Sequence, residues 1–159
     1  MESLLAKNKI AFMSGLLSTD AFDSFLLQEA VIKMAATYTI DGQVNSDFVS
    51  AGSLTEEDGY SDRFIAWSVI RPHVRDIIKG KTAPTFFRFT LQLKPEYAAK
   101  LTEGYSFLLN IRLDASGIHI ISGVSMESFT LDKSADALWD KTMEKFLLSK
   151  GIDFDMEHT

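Results

Sequence analysis

Trp67, Arg71, Arg75 and Lys79 follow one another at steps of four residues, and Lys81 lies two further on. On a helix, side chains four apart stack on one face. Arginine offers a planar fork to phosphate or carboxylate, and tryptophan can stack on a base or a cation. With Arg88 these residues form a candidate ligand-binding set: Trp67, Arg71, Arg75, Lys79, Lys81 and Arg88. The chemistry they suggest is capture of an anionic small molecule or an acidic protein. The plainer alternative is a solvated basic face with Trp67 partly in the core.

The remaining motifs carry less. Gly80-Lys81-Thr82 looks like the end of a phosphate loop. However, Arg75 stands where that loop needs glycine, and a helix precedes where a strand is required, so a nucleotide site of that type is rejected. His73, His119 and His158 lack metal-ligand spacing, so neither a metal nor a cofactor is expected. His119 falls on a strand opposite Ile118 and Ile120 and reads as a surface histidine. There is no cysteine, which removes disulfides, thiolate metal sites and thiol nucleophiles. Glu127, Asp132, Asp136 and Asp140 cluster near the start of the last helix. Lys133 and the helix N-terminus account for them without catalysis. No catalytic residue is assigned, and a non-enzyme is favoured.

The elements follow from periodicity. Apolar residues at Tyr105, Phe107, Leu109, Ile111 and Leu113 alternate, as do Ile118, Ile120, Val124 and Met126 across the turn Asp114 to Gly117. Ala135, Leu138, Trp139, Thr142, Met143, Phe146 and Leu147 then recur at helical spacing. The string Phe129 to Ser134 turns the chain between them, with Asp132 or Ser134 as cap and Gly151 as stop. Thr85 to Leu93 alternates with Phe87, Phe89, Leu91 and Leu93 inward.

Upstream, the even positions from Leu26 to Ile40 are nearly all apolar. They predict one long strand, with Asp41-Gly42 as a hairpin tip and Val44 to Val49 returning. Ile10 to Leu17 reads as a short amphipathic helix, and Glu96 to Thr102 as a helix opened by Pro95. Arg63 to Lys79 reads as a helix kinked or restarted at Pro72 and capped by Gly80. Ser50 to Asp62 reads as an acidic loop. The fold class is α+β: an antiparallel sheet of about five strands with a long C-terminal helix packed across it. Residues 1–151 form a single domain, and 152–159 an acidic, mobile tail.

With 159 residues, 46% of them hydrophobic, the chain can bury a real core. Net charge is −6, yet residues 62–94 hold seven Lys and Arg against two Asp, a surplus of five in an otherwise acidic chain. Nucleic acid is disfavoured as a partner. No apolar run has membrane-spanning length or the form of a secretory signal, so no membrane partner is expected and the expected location is the cytoplasm.

The strings Phe22 to Leu27 with Glu29-Ala30, Ile40-Asp41-Gly42, Ile70-Arg71-Pro72, Ile78 to Lys81 with Pro84, Leu109 to Arg112, and Phe129 to Ser134 with Trp139-Asp140 resemble an uncharacterised family of small bacterial proteins, mainly from Firmicutes. The resemblance spans nearly the whole chain. It implies a single cytoplasmic domain and no particular reaction. The function expected is therefore a non-enzymatic binding or adaptor domain working through the basic segment 62–94. The alternative is a small apolar-ligand carrier or enzyme with a cavity between sheet and C-terminal helix. The sequence leaves the oligomeric state open.

Overall fold

The computed structural model describes residues 1–50, 63–126 and 134–157. The elements are β1 (Ser3–Ala6), α1 (Lys9–Ser18), β2 (Phe25–Lys33), β3 (Thr37–Asp41), α2 (Ser46–Ser50), β4 (Ile65–Ala66), α3 (Trp67–Ile78), β5 (Phe86–Leu93), α4 (Pro95–Leu101), β6 (Tyr105–Asp114), β7 (Gly117–Met126), α5 (Ser134–Ser149) and β8 (Phe154–Met156). The fold is α+β. The strands form one antiparallel sheet in the order β3-β2-β5-β6-β7-β1-β8, and β4 also pairs with β2.

The alternation read from β5, β6 and β7 places their apolar residues on one face. A row runs across the sheet through Ala30, Phe89, Ile111, Ile120 and Leu4, each paired with the next. All five are fully buried. Helices α1, α3 and α5 contribute to the same core through Phe12, Leu16, Trp67, Val74, Trp139, Met143 and Leu147. The opposite face carries polar pairs beside a smaller apolar cluster that includes Leu26. There Gln28 donates to Gln92 (2.8 Å), Thr90 to Asn110 (3.0 Å) and Arg88 to Glu29 (2.8 Å).

Among the described residues eight strands stand where about five were expected. The predicted strand Leu26–Ile40 is two strands, folded back at Met34–Ala36, where the Met34 N–H reaches the Ala36 carbonyl. Its parity also changes within β2, because an irregular register between Leu27 and Glu29 leaves Gln28 without a partner on β5. Such a bulge re-aims side chains. Leu27, Ala30 and Ile32 therefore share the main core, while Leu26 joins Phe64 and Ala66 in a second cluster.

Asp41-Gly42 is not a hairpin tip, and residues 46–50 are helix α2 rather than a returning strand. Gly42 lies against β2, where an added Cβ would sit 1.8 Å from the Leu27 carbonyl oxygen. Close backbone approach, not positive φ, requires glycine there.

Helix α3 is a single helix with Pro72 inside it, not a pair meeting at Pro72. The stretch before it forms β4. The helix closes at Lys79, whose N–H reaches the Arg75 carbonyl (2.9 Å), and Gly80 follows with φ 135°, a conformation that favours glycine. Helix α5 ends in the expected way. Gly151 has φ 72°, its N–H reaches Leu148 O, and the Ile152 N–H reaches Leu147 O (2.9 Å), a paired C-terminal closure.

The segment read as a loose acidic tail is built into the sheet as far as Glu157: β8 pairs with β1, and β1 with β7. Four- and three-residue strands gain their backbone partners only from distant chain and leave little local pattern. The expected acidic loop Ser50–Asp62 and the expected turn Phe129–Ser134 lie largely outside the described residues. Among the described residues, no helix is long and apolar enough to cross a membrane.

Candidate functional site

A groove of about 760 Å³ opens at one end of the sheet. One wall is α1, whose N-terminus is capped by the Asn8 side chain accepting from the Ala11 N–H (3.0 Å). The other wall is the last turn of α3 with the loop to β5, and the β6–β7 turn closes the end. Lys9, Arg75, Lys79 and Lys81 line it, against one carboxylate, Asp114. Lys9, Arg75, Lys79 and Lys81 are all exposed. Lys79 has an ion-pair partner one turn back, Asp76 at 3.3 Å, with both side chains largely in solvent. The pair is worth little there, so the ammonium stays available. Apolar side chains supply most of the rest of the surface, including Ile10, Met13 and Ile78.

Of the six residues singled out from sequence, the fold brings Arg75, Lys79 and Lys81 together here. The other three lie elsewhere. Trp67 is fully buried; its Nε1–H donates to the Leu16 carbonyl (3.2 Å) and its ring meets Phe89 edge-on at 5.5 Å. It fastens α3 to α1 and has no surface for a ligand. Arg71 is ion-paired with Asp23 in the connection before β2, so it holds α3 to that segment. Arg88 sits on the polar face of β5, paired with Glu29.

Sequence reading missed Lys9, Ile10 and Met13. The available signal was an apolar residue outside the inward face of α1: Phe12 and Leu16 are buried, yet Ile10 is 83% exposed and equally apolar.

A second constellation was also hidden. His119 is buried, although it points away from the core, because the chain after β8 covers it. Its Nδ1 meets a carboxylate oxygen of Glu157. Its Nε2 lies 2.7 Å from Ser116 Oγ and 3.2 Å from Asp114 Oδ1. Acid, imidazole and hydroxyl in that order are the parts of a serine-hydrolase relay. Here, however, the Ser116 hydroxyl also lies 2.5 Å from Asp114 Oδ1, and its N–H donates to the same oxygen (2.8 Å). The hydroxyl is thus held by a carboxylate in a tight turn, and its backbone donor is spent. These bonds from Ser116, with a smaller contribution from His119, hold the Asp114 carboxyl well below the usual carboxylate range. Glu157 also accepts from Ser3 Oγ (2.5 Å), so the cluster ties β1, β7, the β6–β7 turn and the chain end together. Its evident role is a clamp.

The acidic residues near α5 divide similarly. Asp140 accepts from the buried Ser122 hydroxyl, fixing α5 to β7. Burial and the charges of Glu144 and Asp140 push Glu2 up. Glu127 and Asp132 lie outside the described residues.

A family model described as a family of unknown function, DUF5721, matches residues 15–155. The chain belongs to this family. The DUF5721 match takes in Arg75, Lys79, Lys81 and the β6–β7 turn, whereas Lys9, Ile10 and Met13 lie before its start. DUF5721 carries no activity to transfer. Comparison with curated proteins and with solved structures gave no match.

Proposed function

We propose that this member of DUF5721 is a non-enzymatic binding domain that takes an anionic ligand, or an acidic segment of a partner protein, in the groove between α1 and the end of α3. The observation that carries the reading is convergence. Two helices and a loop bring Lys9, Arg75, Lys79 and Lys81 to one concave surface in a chain of net charge −6. Like charges gathered in excess of the acids beside them, Asp76 and Asp114, are held at a cost, and an anion relieves it.

Exposed cations are screened within about 10 Å at 0.1 M salt, so binding should weaken as salt rises. The test is titration with inorganic phosphate, nucleotides, sugar phosphates and acidic peptides at low and high salt. Arg75→Glu with Lys81→Glu should abolish binding and leave the melting temperature nearly unchanged, since both side chains are exposed. A panel with no salt-sensitive binder would refute the reading. A cavity between the sheet and α5 finds no support, because Trp139, Met143 and Leu147 fill that space.

A further inference from the structure

The walls of the groove indicate what the anion is attached to. Helix α1 turns Phe12 and Leu16 into the core, and its Ile10, Met13 and Leu17 toward the groove. Ile10, 83% exposed, would be unremarkable alone. Here it continues into Ile78 of α3 and Leu113 and Ile118 of the β6–β7 hairpin, making one apolar trough. A sugar phosphate or nucleotide would need hydroxyl and amide partners along its length. The lining offers few side-chain ones: Ser14, Ser18, Thr85 and the Asp114 carboxylate, whose Oδ1 already accepts from Ser116. Polarity is divided between cationic side chains and an apolar body, and the volume suits a small organic ligand.

Resting on the anion-binding reading above, we propose that the ligand is an amphipathic anion, a carboxylate or phosphate monoester bearing a linear apolar tail. Arg75 and Lys81 hold its head, and the tail lies along Ile10, Met13 and Ile78. Removing tail methylenes from water adds affinity in proportion to length, whereas an anion held by charge alone gains nothing from a tail.

The experiment is calorimetric titration of the full chain with butyl, octyl and dodecyl phosphate and with the matching carboxylates, below their micelle concentrations. Affinity should rise about tenfold or more at each lengthening, less than full burial of every methylene would give because the groove is open. Ile10→Ser, which adds no charge at an exposed position, should lower dodecyl phosphate affinity far more than butyl phosphate affinity and so flatten the length dependence. Arg75→Glu with Lys81→Glu should weaken every member of the series. The phosphate and carboxylate arms decide which head group is preferred.

Equal affinity for butyl and dodecyl phosphate would overturn the amphipathic ligand and leave the anion reading standing. Dodecyl binding that ignores the charge reversals would overturn it too, as adsorption to any apolar surface. Binding of acidic peptides without any alkyl anion would assign the groove to a protein partner instead, and no binding by any probe would end both readings.

Discussion

Arg71 and Arg75 stand one helical turn apart and have different tasks. Arg71 is partly buried and ion-paired with Asp23, while Arg75 is exposed at the groove. Arg71→Glu should therefore lower stability, by about 1 kcal/mol, with little direct effect on anion binding. Asp23→Arg in the same chain should restore much of the loss, and denaturant midpoints of the four variants in the cycle measure it.

Gly42 allows a sharper test of mechanism. Its Cβ would strike the Leu27 carbonyl, so Gly42→Asn should be as damaging as Gly42→Ala. A positive-φ requirement would instead let asparagine recover part of the loss. Equal melting losses of several degrees in both variants support the contact.

Asp114 supplies a pH dependence with a definite sign. Its folded pKa lies below the ordinary 3.8, so its bonds to Ser116 stabilise the fold above that pH and lose their contribution as pH falls below it. Asp114→Asn should cost stability at neutral pH and progressively less in acid. A cost constant across the acid limb would show that the turn does not depend on the charge.

Among the elements, α5 was the most legible. Four of its seven predicted stripe residues, Ala135, Trp139, Met143 and Leu147, are buried, although Leu138 remains 39% exposed at the edge of the stripe. Trp139 packs beside Phe107 and Phe25, and its Nε1–H donates to Leu108 O (2.8 Å). Trp139→Ala should cost about 3–5 kcal/mol, adding a lost bond to a cavity. A melting temperature within a degree or two of the parent chain would mean that α5 is not packed in this way.

Strand β8 lies at the other extreme. Three residues carry it; Phe154 packs against the core, Asp155 pairs with Lys7 (3.6 Å), and just beyond the strand Glu157 meets His119. His119→Ala should speed amide exchange at Phe154–Met156 far more than at β5 or β6, because the clamp is local and those central strands are paired on both sides. Uniform change across the sheet would point to a global role instead.

At the scale of the molecule, ligand and fold are linked by mass action. An anion at about 100 times its Kd should raise stability by about 2.7 kcal/mol, with the gain shrinking as salt is added. The helix-on-sheet plan, the inward faces of β5, β6 and β7, and the apolar stripe of α5 could be read from the chain, because period two and period 3.6 are local signals. The break at Met34–Ala36 could not, since apolar parity runs through it and no glycine, proline, asparagine or aspartate marks the turn. Nor could β1 and β8, whose pairings cross nearly the whole chain. The same division holds for the site. By itself the sequence determined that cations collect in residues 62–94 of an acidic chain. Tertiary structure alone decided that Trp67 and Arg71 are fasteners, that Arg88 belongs to the polar face, and that Lys9 and Ile10 join Arg75 and Lys81 at one groove. Steps of four place side chains on one helical face, but which face meets solvent depends on packing partners far away in sequence.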